Sequence, residues 1–422
     1  MSILLTGASQ VVTCRGPARA RRGSEMAELD VVDNGSVLIG DAGLIEAVGT
    51  FRELRRLSPE PEVVEVEGVL FPGFVDCHTH AVFGAARLAD HERRARGISY
   101  KEIAAAGGGI LASVNDVRGR DVSQLLELMK PRLSALVANG TTTVEVKSGY
   151  GLELSAELAQ LEAIRQASSI GLASLVPTFL GAHEIPPEAR SDPDAYVSTV
   201  ASEMLPAVAQ QGVARFCDVF CEPGVFTIEQ TRRVLEAAQR HGMGLKLHAD
   251  EIDYSGGAQL AAELGAVSAD HLAAVSQSGI EILSRSSTIA VLLPGTMLFL
   301  GSSNQAPARR MVDAGVAIAL ATDFNPGSSP GLSLPLMAML GVSQMRLVPA
   351  ETIIAITVNG AAAVGEAGTR GQIAPGFRAD LALAAVRDWR ELPYWYGTNL
   401  ITEVWIEGAA CHPRQWPVNC LG

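Results

Sequence analysis

The chain has 422 residues, of which 48% are hydrophobic and 19% are charged, and its formal net charge at pH 7 is −13. This composition excludes a disordered or fibrous protein, because it supplies ample apolar material for a large core. The negative charge argues against a protein that coats nucleic acid or an anionic membrane surface. A chain of this length favours one large domain with a smaller one.

The sequence contains no clear membrane segment or secretory signal. No run reaches the roughly 18 uninterrupted apolar residues that a bilayer-spanning helix needs, and the nearest, residues 289–300, is interrupted by Pro294 and Gly295. The apolar start at residues 1–5 is too short for a signal peptide. We therefore expect a cytoplasmic protein with reduced thiols, since no two cysteines have CxxC spacing. The six cysteines are Cys14, Cys77, Cys217, Cys221, Cys411 and Cys420.

Both ends of the chain are rich in short β-like segments separated by turn residues. Because the two ends look alike, we expect them to pair in one small β-sandwich domain formed by residues 1–66 and 364–422. The N-terminal segments are residues 2–5, 10–13, 36–40, 44–48 and 63–66, and the C-terminal ones are residues 373–380, 381–385 and 400–407.

The middle of the chain, residues 67–363, alternates short apolar β-branched runs with helical stretches. This pattern is typical of the α/β class, and eight such units predict a (β/α)8 TIM barrel. The predicted strands are residues 69–77, 142–146, 175–180, 216–220, 244–247, 266–269, 288–293 and 317–321. The predicted helices are residues 121–138, 155–168, 193–211, 227–241, 257–264, 276–284 and 306–314. Thr227 and Gln230 have the spacing of a capping box at the start of one of them.

Polar residues follow six of the eight predicted strands, and five of the chain's eight histidines are among them. The carboxyl ends of the strands of a TIM barrel share one face, where catalytic groups gather. We therefore expect a functional site at that face. The five histidines are His78, His80, His183, His248 and His271.

His78 and His80 end the first predicted strand. Residues i and i+2 of a strand point to the same side, so both imidazoles project together. With His248 and Asp323, which follow later strands, they would hold one divalent ion, Zn²⁺ or Fe²⁺, and leave room for a water molecule. Such an ion lowers the pKa of the water towards neutrality, and Asp323 would be the proton acceptor. A turn or capping aspartate is the alternative for Asp323.

Two further strand-end residues could take part in the chemistry. His271 is either a further metal ligand or an unliganded imidazole that polarises a substrate carbonyl or orients the water. A core histidine without a catalytic role is the alternative. Glu251 lies three residues after His248 and could move a proton to a leaving nitrogen, unless it is a solvated loop carboxylate.

Other residues near the strand ends could recognise a substrate. Arg87, seven residues after His80, could grip a carboxylate with two hydrogen bonds. Tyr150 supplies a hydroxyl group at the end of the second strand. Lys147 could capture CO₂ and bridge two metals, but its early strand favours a structural or packing role. Gly327 and Ser328 do not match a nucleotide P-loop and are expected to offer backbone N–H and hydroxyl donors to an anionic substrate.

Several strings of residues along the chain are distinctive. PGFVDCHTH, HADE, TDFNPGSSP and the late PGFRADLAL resemble the motifs of the metal-dependent amidohydrolase superfamily. Within that superfamily the chain most resembles the imidazolonepropionase family, and the likeness covers nearly the whole chain. The strings that carry this second resemblance are HAVFGAARLADHERRARG, ISYKEIAAAGGGIL, TTVEVKSGYGL, FLGAHEIP, VDAGVAIALATDFNPGSSP and ELPYWYGTN.

The resemblance implies an activity and a set of roles. It implies a hydrolase that opens the ring of 4-imidazolone-5-propanoate with hydroxide formed at the metal, giving N-formimidoyl-L-glutamate in histidine degradation. It also implies a homodimer and a small-molecule substrate with a carboxylate tail. The implied metal ligands are His78, His80, His248 and Asp323, and the implied catalytic residues are Asp323, His271 and Glu251. The implied substrate contacts are Arg87, Tyr150, His183, Glu251, Asn325, Gly327 and Ser328.

Two alternative functions stay open. The first is an aminohydrolase or cyclic amidohydrolase that acts on a related carboxylate-bearing heterocycle, because His248 and Glu251 have the spacing that related deaminases use. Arg87 and Tyr150 favour a substrate with a free carboxylate, which a purine or pyrimidine base usually lacks. The second is a non-catalytic scaffold, which is disfavoured because the chain keeps every expected metal ligand.

Overall fold

The computed structural model describes residues 2–58, 60–98, 102–103 and 106–411. Its strands form three sheets of four, eight and six strands. The strands are β1 (Ile3–Thr6), β2 (Gln10–Val12), β3 (Val31–Asp33), β4 (Ser36–Ile39), β5 (Ile45–Gly49), β6 (Glu62–Glu65), β7 (Val69–Pro72), β8 (Phe74–Asp76), β9 (Thr141–Lys147), β10 (Ser174–Ala182), β11 (Phe216–Cys221), β12 (Gly244–Ala249), β13 (Ser268–His271), β14 (Ile289–Leu292), β15 (Ile318–Leu320), β16 (Leu381–Ala384), β17 (Ile401–Ile406) and β18 (Ala409–Cys411).

Helices connect the barrel strands and cover their outer faces. The predicted capping box is confirmed, because the Thr227 hydroxyl accepts from the Gln230 amide at 3.2 Å and the Gln230 side chain accepts from the Thr227 amide at 3.0 Å. A π-helical segment, Val200–Met204, interrupts the predicted helix 193–211. The α-helices are Phe51–Leu57, Leu88–Ala95, Ile110–Arg118, Val122–Ala138, Leu154–Ile170, Pro193–Thr199, Leu205–Gln211, Ile228–Arg240, Gly257–Glu263, Gln277–Arg285, Pro294–Leu300, Ala308–Asp313, Leu334–Met345, Pro349–Ile356 and Val358–Ala363.

Strands β8 to β15 lie side by side in chain order, each parallel to the next, as predicted for a TIM barrel. The ring closes just beyond the carboxyl ends of β8 and β15, where Thr79 and Phe324 form a parallel bridge. The His80 amide donates to the Phe324 carbonyl at 2.8 Å. The Asp323 amide donates to the His78 carbonyl at 3.0 Å. The two segments that carry three of the expected metal ligands therefore close the barrel.

The first predicted strand, residues 69–77, is wrong as a single element, because it is two strands in different sheets. Strand β7 pairs with β2 and β16, whereas β8 pairs with β9 in the barrel. The chain changes sheet at Gly73, whose amide donates to the Asp380 carbonyl at 2.7 Å. A Cβ at Gly73 would lie 2.3 Å from the Thr142 hydroxyl, so the crossing has no room for a side chain. The apolar pattern hides the crossing because both strands are fully buried.

The barrel interior is filled in layers, as expected for this architecture. An apolar cluster that includes Val176, Phe216 and Ile289 lies near the amino ends of the strands. Charged side chains follow two residues further along: Asp218 comes after Phe216 on β11. On β12, Lys246 is followed by His248 at the carboxyl end. The interior thus changes from apolar to ionic to imidazole along the barrel axis.

The two chain ends form the other sheets, so the fold is a TIM barrel with a small β domain built from both ends. The four-stranded sheet has the order β5-β4-β1-β6, and the six-stranded sheet has the order β18-β17-β16-β7-β2-β3. The second sheet joins N-terminal strands to C-terminal ones through the β7–β16 pair. The domain limits 1–66 with 364–422 and 67–363 stay a prediction. Residues 412–422, including Cys420, lie outside the described residues.

Within the described part of the chain, no helix has the length and apolar character needed to cross a bilayer.

Asn359 ties the N-terminal segment to the barrel. Its side chain accepts from the Arg21 amide at 2.7 Å and donates to the carbonyls of Arg21 and Ile318 at 3.0 and 2.7 Å. We expect Asn359→Ala to lower the free energy of unfolding by about 3 kcal/mol, because buried backbone groups lose their partners. Urea unfolding followed by circular dichroism measures this change. Asn304→Ala, at an exposed position, is the control, and equal stability of the two variants would contradict the prediction.

Candidate metal centre and active site

His78, His80 and Asp323 meet where the barrel closes. Nε2 of His78 and Nε2 of His80 each lie 3.5 Å from Oδ1 of Asp323. The other oxygen, Oδ2, accepts a hydrogen bond from the Thr296 hydroxyl at 2.7 Å. Asp323 has a positive φ of 52°, a conformation that side-chain-bearing residues adopt infrequently. The closure of the barrel thus holds this carboxylate in a strained backbone position facing the two imidazoles.

Three more histidines complete the cluster. Nε2 of His248, at the end of β12, lies 3.4 Å from Nε2 of His80. The side chains form three overlapping sets whose candidate ligand atoms all lie within 4.8 Å of one another. These sets are His78 with His248 and His271, His80 with His183 and His248, and His78 with His80 and Asp323. The structure therefore brings together all four residues expected to bind a metal.

Carboxylates behind the imidazoles set their orientation. Nδ1 of His78 lies 2.5 Å from Oδ2 of Asp270, and Nδ1 of His248 lies 3.1 Å from Asp218. A carboxylate accepts hydrogen bonds, so each ring carries its proton on Nδ1 and turns the lone pair of Nε2 to the cluster. The sequence reasoning missed both aspartates. The signal for Asp218 was a charged residue inside the otherwise apolar strand β11, whereas Asp270 stands directly before His271 in the mostly polar strand β13.

The buried ring nitrogens of the cluster are suited to bind a cation. Nε2 of His78, Nδ1 of His80 and both ring nitrogens of His271 are buried and have no hydrogen-bond partner among the described residues. Burial lowers the pKa of His78, His80 and His271 well below the ordinary value, so these imidazoles are neutral. Neutral imidazole nitrogens with one carboxylate are a donor set that suits Zn²⁺ or Fe²⁺.

The two carboxyl groups at the rim have raised pKa values. Burial raises the pKa of Asp323 to about 6. Burial, with the negative charge of Asp323, raises the pKa of Glu251 to about 8. Oε2 of Glu251 lies 3.6 Å from Nε2 of His271. At neutral pH the site thus pairs a largely ionised Asp323 with a largely protonated Glu251, which is the arrangement of a base and an acid.

The loop after β15 is held together by the side chain of Asn325. The backbone amides of Gly327 and Ser328 each donate to Oδ1 of Asn325 at 2.8 Å, and the Ser328 hydroxyl lies 3.2 Å from the same oxygen. Asn325 therefore organises the loop from within. Both amides already have an acceptor within the loop, and contact of Gly327 and Ser328 with a substrate stays a prediction.

Arg87 lies against this loop. A Cβ at Gly327 would come within 1.2 Å of Nη2 of Arg87, so only glycine leaves room for the guanidinium there. Nε of Arg87 is buried and lacks a hydrogen-bond partner among the described residues. Arg94 from the same helical segment donates to the Gly327 carbonyl at 2.7 Å. The guanidinium is thus held beside the loop with donor capacity to spare.

Tyr150 and His183 pack beside His80 in the cluster. The Tyr150 ring centroid lies 6.0 Å from that of His80 and 5.4 Å from that of His183. Nδ1 of His183 lies 2.9 Å from the Gly149 carbonyl oxygen, to which it donates a hydrogen bond. Nε2 of His183 is then left with a lone pair. Buried Glu157, which the sequence reasoning missed, accepts from the amides of Gly149, Gly151 and Leu152 and so shapes the loop that carries Tyr150.

Comparisons with known proteins agree with this geometry. A model of the amidohydrolase family matches residues 69–411. An imidazolonepropionase of Alkaliphilus metalliredigens is 42% identical over 410 residues, which are 97% of each chain. One of Geobacillus kaustophilus is 46% identical over 398 residues, which are 93% of each chain. The chain belongs to the imidazolonepropionase family of amidohydrolases.

More distant structures share the fold of this imidazolonepropionase family member. An adenosine deaminase from Xanthomonas campestris, solved with bound zinc, superposes with a TM-score of 0.68, covering 99% of this chain and 94% of its own. It is only 20% identical, so the likeness concerns the fold alone. The homodimer and the cytoplasmic location expected from the sequence stay predictions.

Proposed function

We propose that this chain opens the imidazolone ring of 4-imidazolone-5-propanoate with water, giving N-formimidoyl-L-glutamate in histidine degradation. One observation carries the proposal: relatives named imidazolonepropionase align over nearly the whole chain at 42% identity and above, and the aligned chain folds into a rim of imidazoles and acidic groups suited to hydrolysis. In the reaction the ring C–N bond breaks, the carbonyl carbon gains the water oxygen, and the nitrogen gains a proton.

His78, His80, His248 and Asp323 would hold one divalent ion, zinc or iron. Their support is that they occur together in overlapping sets of candidate ligands, that burial lowers the pKa of His78 and His80, and that each of these two rings has a buried nitrogen without a hydrogen-bond partner among the described residues. When bound, the ion supplies Lewis acidity, which lowers the pKa of a water molecule and polarises a carbonyl.

Asp323 is the proposed proton acceptor for the attacking water. The Thr296 hydroxyl holds one carboxylate oxygen, so the other stays directed at the imidazoles. With a pKa of about 6, the carboxylate is ionised at neutral pH and still basic enough to take a proton in the transition state.

Glu251 and His271 are the proposed partners of the leaving nitrogen and the carbonyl oxygen. Glu251 holds a proton at neutral pH because burial raises its pKa to about 8. That proton can pass from Oε2 to the ring nitrogen as the C–N bond breaks. His271 lies next to it, buried and with free ring nitrogens among the described contacts, so one N–H can donate to the carbonyl oxygen.

Arg87 is the proposed anchor of the propanoate tail. Its guanidinium offers parallel N–H donors that match a carboxylate. Tyr150 and His183, which pack against each other beside His80, would contact the ring. Asn325, Gly327 and Ser328 would shape the loop beside Arg87 and line the substrate.

An aminohydrolase or a cyclic amidohydrolase for a related heterocyclic acid is the second candidate. The favouring observation is the position of Glu251, three residues after His248 and 3.6 Å from His271. Its raised pKa would let it protonate a ring nitrogen before ammonia leaves. Release of ammonia from a heterocyclic acid that carries an exocyclic amino group, without turnover of 4-imidazolone-5-propanoate, would favour the aminohydrolase.

The decisive experiment follows the ultraviolet absorbance of freshly made 4-imidazolone-5-propanoate with purified protein. We expect decay well above the spontaneous rate, and a loss of at least ~10³-fold in Asp323→Ala, because one change removes the proton acceptor and a metal ligand. Asp313→Ala, an exposed aspartate, is the matched control and should keep full activity. Decay at the spontaneous rate with metal-loaded wild-type protein would refute the proposed function.

Arg87→Met tests recognition of the tail. We expect KM to rise roughly 10- to 100-fold with a smaller change in kcat, because a charge-assisted contact of about 1.5–3 kcal/mol is lost. Steady-state kinetics measure both parameters. The exposed Arg96, changed to Met, is the control. An unchanged KM would mean that another residue binds the carboxylate.

The pH dependence tests Glu251. The protonated form is the active one, so wild-type kcat should fall as the pH rises through about 8. Glu251→Gln cannot release a proton, so we expect kcat at pH 7 to drop about 10²-fold or more and its alkaline decline to disappear. The exposed Glu229→Gln should keep the wild-type profile. An alkaline decline that persists in Glu251→Gln would assign it to another group.

A further inference from the structure

Five charged side chains fill the barrel interior beneath the histidine cluster. Glu145 and Lys147 come from β9, Asp218 from β11, Lys246 from β12 and Asp270 from β13, and all five side chains have 0% solvent exposure. Charges are seldom buried this deeply without a specific purpose, because removing them from water is costly. The mechanism above uses none of the five directly.

Lys147 lies at the centre of this ionic layer. Its Nζ is 2.8 Å from Oδ2 of Asp218, 2.9 Å from Glu145 and 3.8 Å from Oδ2 of Asp270. Asp218 accepts a hydrogen bond from Nδ1 of His248, and Asp270 accepts one from Nδ1 of His78. One ammonium group therefore contacts both carboxylates that orient two of the four proposed metal ligands.

We propose that Lys147 is a positioning residue for the metal site. Its ammonium group holds Asp218 and Asp270 in place, and through them fixes the rings of His248 and His78 with Nε2 directed at the ion. The inference rests on the proposed metal ligands and deepens them.

Charge balance within the layer explains why a cation is needed there. Three carboxylates face two ammonium groups. The Lys246 ammonium pairs with Glu145, donates to the Cys77 carbonyl and lies 5.4 Å from the centroid of the Phe216 ring. Burial raises the pKa of Asp270 and the charge of Lys246 opposes that rise, but Lys246 makes no ion pair with Asp218 among the described residues. Without Lys147, Asp218 and Asp270 would lose the one ammonium group that pairs with both of them among the described residues, and their mutual repulsion would be less well balanced. Either carboxylate could then turn from its histidine, and the ring that it orients would lose its fixed position.

The same contacts argue against Lys147 as a bridge between two metals. Capture of CO₂ by a lysine requires an uncharged amine. Burial lowers the pKa of Lys147, but the nearby charges of Asp218 and Glu145 outweigh burial and raise the pKa above its ordinary value. Lys147 is therefore held in its ammonium form, which does not react with CO₂.

The test measures metal affinity rather than turnover alone. Metal-free wild-type protein and Lys147→Met are titrated with Zn²⁺ against a chromophoric chelator, and with Co²⁺ to record the visible spectrum of the site. We expect the affinity of Lys147→Met for Zn²⁺ to be about 10- to 100-fold weaker, because the ligand orientation is lost. The Co²⁺ spectrum should change in band position or intensity, since it reports ligand geometry.

Lys246→Met is the matched control. It removes an ammonium group that is equally buried in the same layer but makes no ion pair with Asp218 or Asp270 among the described residues. Its affinity for Zn²⁺ and its Co²⁺ spectrum should change clearly less than those of Lys147→Met, because Lys246 pairs with neither Asp218 nor Asp270. Equal losses in both variants, or wild-type affinity in Lys147→Met, would overturn the positioning role.

A second variant keeps the test valid if Lys147→Met fails to fold. Lys147→Met with Glu145→Gln restores the net charge of the layer while leaving Asp218 and Asp270 unbridged, and the same weakened affinity is expected. If neither variant folds, Lys147 serves the fold itself and the proposal is overturned. Failure of the wild-type protein to bind Zn²⁺ would instead refute the proposed metal site, so the two failures are distinguishable.

Discussion

The closure of the barrel between its first and last strands is the constraint on which the site depends. The segments after β8 and β15 bond to each other through the His80 and Asp323 amides, just beyond the bridge of Thr79 and Phe324. A ring of parallel strands has to pair its ends to leave no open edge. Here the backbone bonds that complete the ring also fix the distance between His78, His80 and Asp323. The same backbone hydrogen bonds therefore stabilise the fold and set the geometry of the site.

A second constraint acts from below. An imidazole presents a ligand lone pair only if its other nitrogen keeps the proton, and a buried carboxylate behind the ring ensures this for His78 and His248. Buried carboxylates in turn need a positive charge close by, and lysine side chains inside the barrel supply it. The ionic layer of the barrel meets that need. The interior is therefore charged at this level because the histidines above it need buried carboxylates behind their rings.

The loops that carry Tyr150 and that lie against Arg87 are held rigidly on the barrel. Glu157 holds the loop of Tyr150 through three backbone amides, and Asn325 holds the loop that lies against Arg87. Each loop is thus organised by one side chain that saturates its backbone donors. Groups that touch a substrate can then keep fixed positions although they lie outside regular elements.

The sequence by itself determined the fold class, the family and the grouping of His78, His80, His248 and Asp323. Alternating strand and helix patterns and distinctive local strings are readable along one chain. Only the tertiary structure decided which residues support them. The break at Gly73 was hidden because two buried strands share one apolar pattern, and the inward bonding of the loop after β15 could not be read from its glycine and serine. The pairing of Asp270 with His78 joins residues 192 positions apart in the chain. Such contacts depend on strand order and on barrel closure, which bring distant residues together and leave no mark on local sequence.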